Sequence, residues 1–217
     1  MIVDLHLKGN LVIIVGAGAE GLKKINSLLT QDCKILVISE ESNPQIQRYV
    51  KAKKIQFKKM KLKNGSFLSK FKPYLVMATT DDRELNRKIV KKAKAMKCFA
   101  YASDDPEFSD FAHPSVINIE DTVQVAVSTG GKSPVMARKI KQEAEKIFRK
   151  TIKKEDILQI NLQEKMREAA KKKIGSQKER KKYLYSIIKD EKIKQLIKDN
   201  KFKMAQKRAM VLLRDWK

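Results

Sequence analysis

The apolar run Leu11-Val12-Ile13-Ile14-Val15 ends in Gly16-Ala17-Gly18-Ala19-Glu20-Gly21 and passes directly into a helix-forming segment. This is glycine spacing G-x-G-x-x-G in a strand–turn–helix context, which constrains the chain more than any other feature. Gly16 permits a tight turn, Gly18 lets a ligand approach the backbone, and Gly21 lets the helix pack close to the strand. The start of such a helix presents unpaired N–H groups and a partial positive charge, a setting for phosphates. Gly16, Gly18, Ala19, Glu20 and Gly21 are therefore candidate dinucleotide contacts.

Strand and helix patterns alternate through the first hundred residues. Strands are expected at 11–15, 34–39, 55–59, 74–79 and 98–102. Helices are expected at 20–29, 43–52 and 82–96. Near-continuous apolar strands separated by helices imply a parallel sheet covered on both faces. The pattern changes after Asp104. Residues 115–119 and 123–128 are short β-like runs joined by Glu120-Asp121, consistent with a hairpin. Beyond Ser133 the sequence is helical only. Pro134 follows Ser133 as a capped first turn, and Ser176-Gln177-Lys178-Glu179 has the spacing of a capping box.

The chain has 217 residues and a net charge of +24. Residues 1–140 hold 24 Lys and Arg against 14 Asp and Glu, and residues 141–217 hold 25 against 11. The C-terminal part is thus the more densely basic, a field that attracts polyanions: nucleic acid, an anionic membrane surface or a small polycarboxylate. Solvated lysines on every helix are the bland alternative. No apolar run is long enough to span a membrane, and the N-terminus lacks the order of a secretory signal. A soluble, cytoplasmic protein is the expectation. Cys33 and Cys98 precede apolar strands as small core residues, and His6 and His113 have no metal-ligand partners at useful spacing, so no metal is expected.

Three strand ends carry candidate chemistry. An acidic residue about 20 positions beyond the glycines holds the ribose in dinucleotide folds. Here the second strand ends Ile38-Ser39-Glu40-Glu41: Glu40 or Glu41 stands at about that distance and Ser39 is flush with the strand end, so Ser39 and Glu40 or Glu41 are candidates, and the absence of Arg or Lys beside them in sequence favours NAD over NADP. The fourth strand ends Ala78-Thr79-Thr80-Asp81-Asp82, with Asn86 a turn later. Thr79, Thr80 and Asn86 can face a cofactor, while Asp81 or Asp82 suits a helix cap. The fifth strand ends Tyr101-Ala102-Ser103-Asp104-Asp105-Pro106. Asp104 can accept a proton as hydride leaves a substrate, although Asp-Pro is also ordinary turn chemistry. Ser128-Thr129-Gly130-Gly131-Lys132-Ser133 is not a P-loop, because Ala126 stands where the earlier glycine is needed. Such a turn before a helix can still bind an anion.

Val15-Gly16-Ala17-Gly18, Ala78-Thr79-Thr80-Asp81-Asp82 with Asn86, Ser103-Asp104-Asp105-Pro106, Phe111 to Ser115 and Val125 to Pro134 occur in that order. Together they resemble the precorrin-2 dehydrogenase family, which includes the N-terminal part of siroheme synthases. The resemblance covers about residues 1–150. It implies an α/β fold: a Rossmann-type parallel sheet, a short central dimerisation segment and a helical C-terminal module. The expected boundaries are 1–112, 113–150 and 151–217. It also implies a homodimer that oxidises precorrin-2, a polycarboxylate tetrapyrrole, to sirohydrochlorin with NAD. Some members also insert ferrous iron, which leaves a ferrochelatase activity open. The family's proposed catalytic aspartate falls on Asp104, and a family serine falls on Thr129. Thr129, Gly130 and Lys132 are the expected substrate contacts. No membrane partner is expected, and nucleic acid enters only in the alternative: a non-catalytic NAD-sensing module with a nucleic-acid-binding basic tail. The third glycine position is often alanine in the family and is Gly21 here. The methyltransferase domain fused in some siroheme synthases is absent from this sequence.

Overall fold

A computed structural model describes residues 2–216. The chain packs as two compact units, Met1–His113 and Pro114–Lys217. The first unit contains strands β1 (Leu11–Val15), β2 (Lys34–Ser39), β3 (Gln56–Lys59), β4 (Leu75–Ala78) and β5 (Phe99–Ala102). Its helices are α1 (Ala19–Leu28), α2 (Pro44–Lys51) and α3 (Arg83–Ala95), with a short 3₁₀ helix at Ser66–Lys70. All five strands are parallel, in the order β3-β2-β1-β4-β5.

Both faces of the central strands are dry, which explains their unbroken apolar sequence. Ile13, Val15, Leu36, Ile38, Val76 and Ala78 face one core with Ile89, Val90 and Ala93 of α3. Val12, Ile14, Ile35, Val37, Leu75 and Met77 face the other with Ile25 and Leu28 of α1 and Ile46 of α2. The period of two along each strand is thus present, hidden because both sets are buried. The strand order reverses between β1 and β4, and ligands of open parallel sheets bind beyond the carboxyl ends of strands at such a reversal.

The second unit opens with β6 (Ser115–Ile119) and β7 (Val123–Val127), an antiparallel pair in the expected hairpin. Glu120 and Asp121 carry the turn at φ of 50° and 47°. Helices α4 (Pro134–Thr151), α5 (Lys154–Lys173), α6 (Gln177–Lys189), α7 (Glu191–Lys198) and α8 (Phe202–Arg214) follow. The last four share a core of Leu162, Met166, Tyr183, Ile187, Ile193, Ile197, Ala209 and Leu213. Inside it the Tyr183 hydroxyl donates to the Ala209 carbonyl at 2.9 Å. At the start of α6 Ser176 accepts from the Glu179 N–H, but the Glu179 carboxylate pairs with Lys182, so the expected reciprocal box is only half made. No helix among the described residues is long and apolar enough to cross a membrane.

Candidate active site

The glycine turn is built by sterics. Gly16 sits at φ +102°, and a Cβ there would lie 2.7 Å from the Thr79 carbonyl oxygen. A Cβ on Gly21 would collide with the Gly16 carbonyl, so the alanine common elsewhere is excluded by this backbone. Gly18 differs from both. It is the residue before α1, it offers no side-chain cap, and a Cβ there meets nothing within 4 Å. The first N–H groups of α1 thus follow a residue with no side chain, have no side-chain cap, and have free space at the Gly18 Cβ position. That is the cradle a diphosphate needs, and these residues fit a dinucleotide.

Neighbouring side chains hold this turn in place. Buried Thr79 donates its hydroxyl to the Val15 carbonyl at 2.9 Å, so it shapes the turn from beneath. Asn43 caps α2 by accepting from Ile46 N–H at 2.9 Å and donates from Nδ2 to the Ala17 carbonyl at 3.2 Å. Sequence reading placed Asn43 inside the helix and did not single it out; its bond across to the turn has no local signature.

Asn86 is fully buried and organises the next strand ends. Its Oδ1 accepts from the Thr80 hydroxyl at 2.7 Å, and its Nδ2 donates to the Thr80 carbonyl at 2.9 Å. The same Nδ2 group donates to Asp104 Oδ1 at 3.0 Å, so β4 and β5 are tied at their carboxyl ends. Asp82 caps α3 by accepting from Leu85 N–H at 2.9 Å. The two aspartates of the fifth loop have separate fates. Asp105 is buried and bound by Arg87 at 2.8 Å. The Arg87 hydrogen bonds, the Phe108 N–H and the charges of Arg87 and Arg83 hold its carboxyl below the usual range. Asp104 is exposed, with the Asn86 amide as its partner.

At the end of β2 the Ser39 carbonyl accepts from Met60 N–H at 2.9 Å, and Ser39 lies in register with Lys59. Glu40 is exposed and pairs with Lys61 at 3.5 Å. Sequence reading found no basic residue beside Glu40; parallel pairing of β2 with β3 brings one there. Ala19 and Glu20 lie in the first turn of α1, where Glu20 pairs with Lys23.

Lys24, Tyr101, Phe111 and His113 form a cluster that sequence reading did not single out. Lys24 Nζ lies 4.4 Å from the Tyr101 ring centroid. Phe111 stacks on the same ring at 5.5 Å, and His113 meets it edge-on at 4.9 Å. Burial outweighs the attraction of Glu20 and pulls the Lys24 amine down to about 8. The His113 residue is exposed overall, but its ring is desolvated by these aromatics and repelled by Lys24, which holds it down to about 4. Burial, then the charges of Glu20 and Asp104, push the Tyr101 phenol up.

The remaining candidates belong to the second unit. Thr129 Oγ1 accepts from Ser133 N–H at 3.1 Å, and Gly130 and Gly131 adopt φ of +61° and +81°. Lys132 is exposed in this turn, its N–H donating to the Thr129 carbonyl. Ser133 caps α4 by accepting from Met136 N–H. No group of three or more His, Cys, Asp or Glu among the described residues is placed to hold a metal.

Comparison with known proteins agrees with this geometry. Residues 3–115 match the family model described as "Putative NAD(P)-binding", and residues 121–146 match "Sirohaem biosynthesis protein central". The chain belongs to the family of putative NAD(P)-binding proteins described by the first of these models. A siroheme synthase of Nitrosococcus oceani is 32% identical over 144 residues, 66% of this chain and 30% of the relative. One from Neisseria meningitidis is 27% identical over 178 residues, 82% of this chain and 35% of the relative. The chain thus spans about a third of the length of such relatives. The solved structure of "SirC, precorrin-2 dehydrogenase" superposes with a TM-score of 0.65 at 18% identity. It covers 96% of this chain and 99% of that one, so the fold is shared from the sheet to the last helices.

Proposed function

We propose that this protein oxidises precorrin-2 to sirohydrochlorin, working in the cytoplasm as a homodimer. NAD, when bound, supplies the hydride acceptor. The start of α1 takes the diphosphate, with Gly18 leaving room for it. Ser39 and Glu40 receive the ribose, and the Glu40 carboxylate disfavours a 2′-phosphate there. Asp104 accepts the proton that leaves the macrocycle as hydride departs, and Asn86 fixes the position of its carboxylate. Thr129, Gly130 and Lys132 carry hydroxyl, backbone and ammonium groups suited to a carboxylate, and are assigned to the substrate on that chemistry.

The observation that carries this reading is the Asn86–Asp104 bond. A fully buried amide, itself tied to Thr80, holds one acceptor at the carboxyl edge of β5 in the same unit as the glycine turn. Hydride removal needs this pairing of cofactor cradle and positioned base. The basic charge also suits a many-carboxylate ligand. The non-catalytic alternative is left with that charge alone for support.

Residues 113–150 are the proposed dimerisation segment. The β6–β7 sheet has two strands only, so each leaves an outer edge unpaired. Helix α4 exposes Val135, Met136, Ile140 and Ile147. An open sheet edge beside an apolar helix face is suited to pairing with a second copy.

An absorbance assay with precorrin-2 and NAD tests the activity. Sirohydrochlorin and reduced nicotinamide should appear together in equal amounts, and a parallel run with ferrous iron reads any metal insertion. No oxidation by folded, NAD-binding protein would refute the activity. Sedimentation should give twice the chain mass, and a monomer at micromolar concentration would refute the homodimer.

A further inference from the structure

We propose that Lys24 and Tyr101 form an anion seat that takes one carboxylate of the tetrapyrrole substrate. The inference rests on the proposed reaction for its ligand, and on the cluster itself for its geometry.

Lys24 lies on α1, three residues beyond Gly21. It is half-buried and makes no ion pair among the described residues. The neighbouring carboxylate, Glu20, sits one turn away and is bound by Lys23 instead. The ammonium is left over the Tyr101 ring, where attraction to the π face replaces part of the lost water. The groups around it are Lys23 and Glu20 on α1, Tyr101 of β5 and His113; Asp104 acts on the far side, on Tyr101, and Phe111 stacks on that ring. None of these supplies Lys24 with a bonded carboxylate. A desolvated ammonium without a counter-charge is unfavourable, and an incoming anion relieves that. Burial, joined by the charge of Lys23, lowers the proton affinity of Lys24, and the attraction of Glu20 offsets only part of it.

The position selects which anion. Lys24 is six residues past Gly18, about 9 Å along the helix axis at the usual rise. The ammonium itself stands over the Tyr101 ring of β5. Tyr101 lies three residues before Asp104 on the same strand-and-loop path. A carboxylate bound by Lys24 beside Tyr101 belongs to a ligand that also reaches Asp104; the macrocycle carries such carboxylates, and the nicotinamide end of the cofactor carries none. The stacked Tyr101 and Phe111 rings add a flat apolar wall beside the seat.

The test uses the whole chain and two readouts. In the first, wild-type protein is trace-acetylated with acetic anhydride at pH 8, alone, with NAD, and with sirohydrochlorin. Lys24 should label faster than fully exposed lysines, and sirohydrochlorin, not NAD, should protect it. Protection by NAD alone would assign the amine to the cofactor and overturn the proposal, as would protection by neither. In the second, Lys24→Met should raise KM for precorrin-2 by about tenfold or more, with kcat and NAD affinity within about threefold. Lys24→Arg should restore part of the loss, and an unchanged KM in Lys24→Met would overturn the seat. Protection by sirohydrochlorin without any turnover would keep the seat and reject the proposed reaction, so the two failures are distinguishable.

Discussion

Asn86 donates to Asp104 at 3.0 Å across the ends of β4 and β5 while its own carbonyl accepts from the Thr80 hydroxyl at 2.7 Å. The carboxylate is thus held by an amide that cannot rotate without breaking contacts to Thr80. Asp104→Asn should lower turnover by about 10²–10⁴-fold, because no proton acceptor remains, with NAD affinity preserved. Asn86→Ala should act through two effects. It leaves Thr80 backbone groups unpaired, which costs about 1–3 kcal/mol of stability, and it frees the Asp104 carboxylate, which lowers kcat. Denaturant unfolding and steady-state kinetics separate them. Wild-type turnover in Asp104→Asn would remove this carboxylate from the mechanism.

The three glycines of the turn should respond differently to substitution. Gly18→Val should leave the melting temperature close to wild type, since a Cβ there meets no protein atom within 4 Å. It should abolish measurable NAD binding by filling the diphosphate space. Gly21→Ala and Gly16→Ala should instead lower the melting temperature, one by collision with the Gly16 carbonyl and the other by strain at φ +102° and contact with Thr79. Thermal unfolding paired with NAD titration checks all three. Intact NAD affinity in Gly18→Val would overturn the cradle.

Glu40 and Lys61 offer a test of cofactor choice. The pair is exposed, so its contribution to stability is small. Its effect on a 2′-phosphate is larger, because Glu40 repels that group and engages Lys61. Glu40→Gln should raise NADP affinity relative to NAD by about tenfold and leave the melting temperature unchanged. Competition titrations with the two dinucleotides read the ratio, and an unchanged ratio would place the ribose elsewhere.

The contrast between what was legible in the sequence and what was not follows from distance along the chain. β2 at Lys34–Ser39 and β6 at Ser115–Ile119 coincide with their sequence readings, because their residue pattern and bounding turns are local. The Asp82 and Ser133 caps were readable for the same reason. Helix α7 was not separated from the rest of the all-helical tail, and the 3₁₀ helix at Ser66–Lys70 was missed, since five residues are too few to show a helical period. Lys61 beside Glu40 depends on the register of β2 with β3, and Lys24 over Tyr101 depends on which flank of α1 faces β5. In sequence both lysines look like the many solvated ones. Only the packed sheet distinguishes them, by giving one a carboxylate and denying one to the other.

The Lys24 and His113 environments also predict how stability changes with pH, and the two windows differ. Both groups bind a proton less readily in the folded protein than in the unfolded chain. Stability therefore rises with pH wherever the unfolded chain holds the extra proton. For Lys24 that window runs from about 8 up to the ordinary value of 10.5, so relief comes on the alkaline side and the strain is fully present at neutral pH. For His113 it runs from about 4 to 6.5: the contribution is intact above 6.5 and is lost as pH falls toward 4. Urea midpoints measured from pH 4 to 10 should rise through both windows relative to matched variants. Lys24→Met should flatten the alkaline limb only, and His113→Phe the acid limb only. If Lys24→Met left the alkaline slope unchanged, the ammonium would be solvated and the Tyr101 contact of no energetic consequence.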